Sequence, residues 1–150
     1  MSPIPDSIHQ SITINAPASA VWHHLTTPNL MQQWMLDQDM EMEIFSDWKA
    51  GSPIVMKGKL HKIKFENLGT ILQFEPEKVF EYTHLSSISR LPDQPENYCT
   101  LTFSLSPSAT EETILNLSIA NFPTYSIYKH MEFYWRSALV VLKRQVENIT

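Results

Sequence analysis

The chain has 150 residues, of which 43% are apolar and 18% are charged, and its formal net charge is -5. A chain of this size can bury one sizeable core, so we expect one domain over residues 1–150. It lacks the basic clusters that attract phosphate backbones, so we expect no nucleic-acid partner. No apolar run approaches the roughly 18 residues of a membrane span, and the start of the chain lacks the pattern of a signal peptide. The single cysteine, Cys99, fits a reducing compartment, which predicts a cytoplasmic protein.

The first part of the chain predicts a strand followed by two short helices. Apolar and polar residues alternate from Ile8 to Ile14, as in a half-buried strand, and Pro17 ends the pattern. The next apolar residues share one face at helical spacing: Ala18, Val21, Trp22 and Leu25. Thr27 and Pro28 have the residue types of an N-cap and a first helical position, which predicts the second short helix.

His23 and His24 lie side by side in the first predicted helix. Adjacent helical residues diverge by about 100°, whereas a metal or catalytic pair needs two side chains that converge. We therefore interpret both histidines as solvent-facing residues on the flanks of the apolar face. The other histidines show no short ligand spacing, so we expect neither a metal nor a cofactor.

The segment from Met40 to Leu60 predicts a β-hairpin whose register can be tested. If the turn is centred near Ala50, residues whose numbers sum to about 100 face each other. The facing pairs are then Glu43 with Lys57, Glu41 with Lys59, Ile44 with Met56 and Met40 with Leu60. One face pairs opposite charges and the other is apolar, which supports both the hairpin and its register.

Five further strands and a long helix complete the predicted elements. The strands are bounded by Gly, Pro, Ser or Asn and cover Lys62 to Glu66, Thr70 to Glu75, Val79 to His84, Tyr98 to Leu105 and Thr113 to Ile119. From Ser126 to Ile149 the apolar period changes to about 3.6 residues, which predicts a long amphipathic helix. Phe133 and Val140 lie opposite its apolar stripe and are a candidate contact for a homodimer.

Large apolar and aromatic side chains fall on faces that are predicted to point inward. They are Trp34, Trp48, Met56, Leu72, Phe74, Phe80, Tyr82, Phe103, Met131 and Trp135. An ordinary packed core would produce the same pattern. His84, however, shares a strand face with Phe80 and Tyr82, which places two polar tips among apolar walls. Because small-molecule pockets combine apolar walls with few polar groups, these residues are candidate ligand-binding residues, and no catalytic residue is predicted.

Several segments also carry a resemblance to a known family: "ITINAPASAVWHHLTTPNLMQQW", "DWKAGSPIVMKGK", "GTILQFEPEKVFEYTH", "NF" at Asn121-Phe122, and "YWRSALVVLKRQVE". In order, they resemble the activator of heat-shock-protein-90 ATPase homologue family of the START/Bet v-like (SRPBCC) superfamily. The resemblance covers roughly Ser11 to Glu147. It rests most specifically on the first and last segments.

The resemblance implies an α+β helix-grip fold. A curved antiparallel sheet of about six or seven strands would wrap around the long C-terminal helix, with two short helices after the first strand and a hydrophobic cavity between sheet and helix. It adds Phe122 to the candidate ligand-binding residues. Where the family usually has Gly-Thr and Gly-Trp, this chain has Glu112-Thr113 and Tyr134-Trp135, so Tyr134 is expected to narrow or reshape one end of the cavity.

Three functions are compatible with these observations. The first, which we prefer, is a non-catalytic module that binds an apolar or aromatic small molecule or a lipid, with Tyr82 and His84 orienting it. The second is a chaperone co-factor, as the family name implies. The third is an aromatase/cyclase-like enzyme acting on a polyketide-like substrate, which would need a tuned acid-base group in the pocket. The sequence offers candidate residues for the third function but no catalytic constellation.

Overall fold

The computed structural model describes residues 4–35 and 40–148. In chain order the elements are β1 (Ser7–Ile14), α1 (Ala18–Thr26), α2 (Pro28–Met35), β2 (Met40–Ser46), β3 (Pro53–Leu60), β4 (Ile63–Glu75), β5 (Val79–Ser86), β6 (Cys99–Ala109), β7 (Glu112–Ala120) and α3 (Tyr125–Glu147). Two short 3-10 helices, Ser87–Ser89 and Pro95–Asn97, lie between β5 and β6. The strands form one seven-stranded antiparallel sheet in the order β1-β7-β6-β5-β4-β3-β2. This is the predicted helix-grip fold, with the two short helices directly after the first strand.

The predicted hairpin register between β2 and β3 is confirmed. Glu43 pairs with Lys57, and Glu41 pairs with Lys59. The turn that joins the two strands contains Gly51, whose φ of 89° lies in the left-handed region that favours glycine. Opposite charges on one face and apolar residues on the other were therefore enough to predict this register.

The segment between β1 and β2, which contains α1 and α2, is more buried than the sequence predicts. His23 is exposed, as expected, but the prediction for His24 is wrong, since it is only 4% exposed. The amide Nε2 of Gln145, on α3, donates to Nδ1 of His24 at 2.9 Å and to the carbonyl of Leu30 at 3.1 Å. Trp34 Nε1 donates to the His24 carbonyl at 2.9 Å. Helix α3 covers one flank of α1, so only the other flank meets solvent.

The two strands predicted between Lys62 and Glu75 form one continuous strand with a β-bulge. Ile71 pairs with Tyr82 and Gln73 pairs with Glu81, which leaves Leu72 as the extra residue on β4. The bulge changes which residues face inward, so Ile71 is fully buried while Leu72 is 44% exposed. The prediction that Leu72 points into the core is therefore wrong.

Helix α3 lies on the sheet through its apolar stripe, as predicted. Its buried residues are Met131, Trp135, Ala138, Leu139, Leu142 and Val146. The Thr124 hydroxyl caps the helix by accepting from the Ile127 amide at 3.1 Å. Phe133 and Val140 are 74% and 39% exposed on the opposite side. Ile149, which the sequence also assigns to this helix, lies outside the described residues.

The last strand begins without the glycine that the family usually has at this point. The Glu112 carboxylate accepts from the Ser108 hydroxyl at 2.7 Å across the turn. Thr113 is fully buried, and its hydroxyl donates to the Ala16 carbonyl at 2.8 Å. This bond joins β7 to the segment that leads into α1.

Among the helices that the structure describes, none combines the length and the apolar character needed to cross a membrane.

Candidate functional site

A cavity of about 430 Å³ lies between the sheet and α3. Strands β4, β5 and β6 form one wall, α3 forms the opposite wall, and α2 and the β2–β3 hairpin close one side. Its apolar lining is Met35, Met42, Met56, Leu60, Phe65, Leu85, Ile88, Leu101, Ile127, Met131 and Trp135. The volume and the apolar lining are typical of pockets that enclose a small molecule.

The structure places five of the twelve candidate ligand-binding residues around this cavity. They are Met56, Tyr82, His84, Met131 and Trp135. Trp34, Phe80 and Phe103 are buried in the core, and Trp48 and Phe74 are partly buried against it. Phe122 is buried against Tyr128 with ring centroids 5.3 Å apart, and Leu72 is on the surface. The predicted set therefore divides into cavity lining, core packing and one surface residue, Leu72.

Beside the cavity, the space between the sheet and the helices is filled by aromatic rings. Phe74 packs against Trp22, Trp48 and Phe80 with ring centroids 5.2, 6.1 and 5.8 Å apart. These tilted and edge-on contacts are the arrangements that aromatic quadrupoles favour. This end of the molecule is a packed core, and the hollow part begins beyond it.

Trp135 stands between the packed half and the cavity. Its ring contacts Trp34 at 6.0 Å and Phe103 at 5.5 Å, and it also lines the cavity. Since Trp135 lies on α3 and Phe103 on β6, this contact also sets the spacing between helix and sheet. The indole is therefore both a packing element and part of the cavity wall.

Tyr82 and His84 reach the cavity from the inner face of β5. Tyr82 is 2% exposed, and burial raises the pKa of its hydroxyl far above the ordinary value, with nearby Tyr134 adding to the shift. Burial also lowers the pKa of His84 to about 4, and His130 adds a smaller effect of the same sign. Both side chains are therefore neutral at pH 7.

Asn67, on β4, is a polar lining residue that the sequence interpretation missed. Its Oδ1 is buried and has no hydrogen-bond partner among the described residues. In the sequence, an asparagine between two strand-like segments has the appearance of a strand boundary. The usable signal is its spacing of two from Phe65, because residues two apart on a strand share a face.

The cavity opens toward solvent beside the first turns of α3. Ile88 is 51% exposed, and Ser126 and His130 are also exposed. His130 stacks on Tyr134 with ring centroids 6.0 Å apart. The Tyr134 hydroxyl donates to the Met35 carbonyl at 2.5 Å and so ties α3 to the end of α2. Tyr134, at the position where the family usually has glycine, forms part of the cavity wall.

Cys99 also lines the cavity, opposite His84 in the β5–β6 pairing. It is 2% exposed, and burial raises the pKa of its thiol to about 11. The side chain is a thiol at pH 7, not the thiolate that nucleophilic chemistry requires. It acts here as a small apolar residue.

The cavity offers neutral hydrogen-bonding groups and apolar surface. Among the lining residues that the structure describes, there is no Asp, Glu, Lys or Arg. Within residues 4–35 and 40–148, no group of three or more His, Cys, Asp or Glu side chains is placed to hold a metal ion. Such a site can select a molecule by shape and by uncharged hydrogen bonds.

A seven-stranded antiparallel sheet that holds a long C-terminal helix over a cavity defines the helix-grip class, to which START-like proteins belong. Within that class, the chain belongs to the family described as "Activator of Hsp90 ATPase homolog 1-like protein", whose model matches residues 15–147.

Solved structures share this fold. The solution structure of ChR145 from Cytophaga hutchinsonii is 34% identical, covers 98% of this chain and 97% of its own, and has a TM-score of 0.79. Protein CV1439 from Chromobacterium violaceum is 18% identical, with 95% and 99% covered and a TM-score of 0.80. CalU16 from Micromonospora echinospora is 21% identical, with 93% and 75% covered and a TM-score of 0.69. The last two are similar in fold alone, and no curated protein matches the sequence.

Proposed function

We propose that this protein is a non-catalytic binding module that holds an apolar or aromatic small molecule between the sheet and α3. The observation that carries the proposal is the cavity of about 430 Å³, with its largely apolar lining. Burying a ligand there would remove apolar surface of both partners from water, at about 25 cal/mol per Å². The ligand-binding residues we assign are those of the cavity wall, with Met56, Met131 and Trp135 as apolar contacts.

The described lining residues contain no group tuned for acid-base chemistry, which supports binding without catalysis. His84 is neutral at pH 7 because its pKa is lowered to about 4, and a general acid or base works best when its pKa lies near the working pH. Its cavity neighbour Cys99 is a protonated thiol, as its pKa of about 11 requires. Neither residue is therefore tuned to transfer a proton or attack a carbonyl.

The proposal is tested by filling the cavity. Met131→Trp places a bulky ring where Met131 now lines the cavity, whereas Phe133→Trp, on the exposed side of the same helix, is the matched control. Native mass spectrometry and thermal shifts across a library of small apolar and aromatic compounds provide the readout. We expect bound species and shifts for the wild type and the control, and none for Met131→Trp. A wild-type protein that binds no member of the library would refute the proposal.

A second candidate function is assistance to a chaperone ATPase. It is favoured by the family description and by the exposed apolar pair Phe133 and Val140 on α3, which also supports a homodimer as an alternative use of that surface. Measuring the ATPase rate of an Hsp90-type chaperone with the wild type and with Phe133→Ser tests this candidate. A rate that the wild-type protein does not change would eliminate this candidate.

A further inference from the structure

In the cavity wall, Asn67 Oδ1 is buried and has no hydrogen-bond partner among the residues that the structure describes. The Tyr82 hydroxyl and the His84 ring belong to the lining of the same cavity. Buried polar groups in folded proteins are almost always paired, because an unpaired group has lost its water without a replacement. We call Asn67, Tyr82 and His84 the polar end of the cavity.

The strand register brings the polar end together on the sheet. Asn67 lies opposite Ser86, so His84 is its diagonal neighbour on the inner face of β5. Diagonal neighbours across an antiparallel pair are about 7–8 Å apart, and Tyr82 follows at the next inward position. A functional group of a ligand that lies between Asn67 and His84 is therefore close to both side chains.

No formal charge accompanies the polar end. The hydroxyl of Tyr82 and the ring of His84 are neutral at pH 7, as their shifted pKa values require. The described lining contains no Asp, Glu, Lys or Arg, and the ring of His130 lies at the exposed mouth. An ionised ligand group would lose its hydration here without a counter-charge to replace it, which is costly.

We propose that the cavity selects uncharged molecules whose apolar body carries one hydrogen-bonding group, and that this group binds at Asn67, Tyr82 and His84. This inference rests on the proposed binding function and specifies its ligand class. The side chains of the polar end can each donate or accept, so they suit a hydroxyl group, which does both. The apolar body lies along Met56, Met131 and Trp135.

Four naphthalene probes of similar size test this selection. They are naphthalene itself, naphthalene-2-methanol, naphthalene-2-carboxylate and naphthalene-2-methylammonium, measured by calorimetry at pH 7.5. We expect naphthalene-2-methanol to bind at least about tenfold more tightly than either ion, and about fivefold more tightly than naphthalene. A carboxylate or ammonium probe that binds as well as the alcohol overturns the inference, while cavity binding itself stands.

Two substitutions locate the hydrogen bond. Tyr82→Phe and Asn67→Leu remove polar atoms and keep the side-chain volume similar, so naphthalene-2-methanol should lose about fivefold in affinity while naphthalene keeps its own. Tyr98→Phe is the matched control, because the Tyr98 hydroxyl donates to Asp93 at 2.6 Å outside the cavity. If both cavity variants keep the preference for the alcohol, the polar end is not where it binds.

The same variants have an effect on stability that distinguishes this role from a structural one. Removing an unpaired buried polar group relieves a cost in the unliganded protein, so Asn67→Leu should raise its thermal midpoint. A structural asparagine would show the opposite, with a lower midpoint after loss of its amide. If none of the four probes binds and the wider compound library also fails, the proposed function fails together with this inference.

Discussion

Two histidines with lowered pKa values, His24 and His84, link the stability of the protein to pH. The pKa of His84 is about 4 in the folded state against an ordinary value of 6.5, and the pKa of His24 is lowered as well. Below pH 6.5 the unfolded chain therefore binds protons before the folded one. The free energy of unfolding is greatest above pH 6.5 and falls as the pH drops toward 4.

We expect the thermal midpoint to fall between pH 7 and pH 5, and His84→Asn to reduce this fall because it removes one of the responsible groups. Thermal unfolding followed by circular dichroism at several pH values measures the effect. His61→Asn, at an exposed position in the turn between β3 and β4, is the control and should follow the wild type. An unchanged pH profile in His84→Asn would contradict the assignment of a lowered pKa.

His24 also shows why some residues could not be placed from the sequence. A helical wheel identifies the face of α1 that meets the sheet, and Val21, Trp22 and Leu25 are buried as that wheel predicts. The wheel cannot report a second partner, however, and His24 is buried by Gln145, which is 121 residues away in the chain. Local periodicity carries no information about such a contact.

At the scale of elements, the β-bulge in β4 determines which of two neighbouring aliphatic side chains, Ile71 or Leu72, packs in the core. Ile71 is fully buried and Leu72 is 44% exposed, although a regular strand would place Leu72 and Phe74 on the same face. We expect Ile71→Ala to cost about 2–5 kcal/mol of stability, as large-to-small changes in cores do. Leu72→Ala should change it by less than about 0.5 kcal/mol, as at ordinary surface sites. Equal costs in urea denaturation would mean that the bulge is misplaced.

Two glycines in the sheet region are required for different physical reasons. A Cβ at Gly69 would lie 1.7 Å from the Thr83 carbonyl oxygen on the neighbouring strand, whereas at Gly51 it would meet nothing within 4 Å. Gly69→Ala must therefore displace backbone, and we expect it to cost about 2–3 kcal/mol. Gly51→Ala retains only the strain of its positive φ, about 1 kcal/mol. Denaturant midpoints of the two variants test this order, and the reverse order would contradict it.

The elements themselves could be predicted because their signals are local. The β2–β3 register followed from the pairing of Glu41 and Glu43 with lysines, and the α3 stripe followed from its helical period. The bulge could not be predicted, since it depends on how β4 fits β5. The position of the cavity could not be predicted either. Phe80 and Met131 both face inward by their sequence pattern, but Phe80 is enclosed by other aromatic rings whereas Met131 lines the cavity.

At the scale of the whole molecule, a ligand in the cavity should stabilise the folded state. A ligand at 100 times its Kd contributes about 2.7 kcal/mol. For a chain of this length, that corresponds to a rise of about 5–10 °C in the thermal midpoint. Differential scanning calorimetry with naphthalene-2-methanol measures it and also tests the prediction of one domain, which requires a single transition. Two separate transitions would contradict that prediction.

Trp135 separates two regions under α3, one packed with aromatic rings and one that contains the cavity. Substitutions near Phe74 and Phe80 should act on folding, whereas substitutions near Met131 and Asn67 should act on which molecule is held. If the proposed binding function holds, the lining can change without disturbing the part of the chain that keeps it folded. The same indole sits where both kinds of change meet, so a bound ligand and unfolding should both alter its contribution to the fluorescence of the four tryptophans.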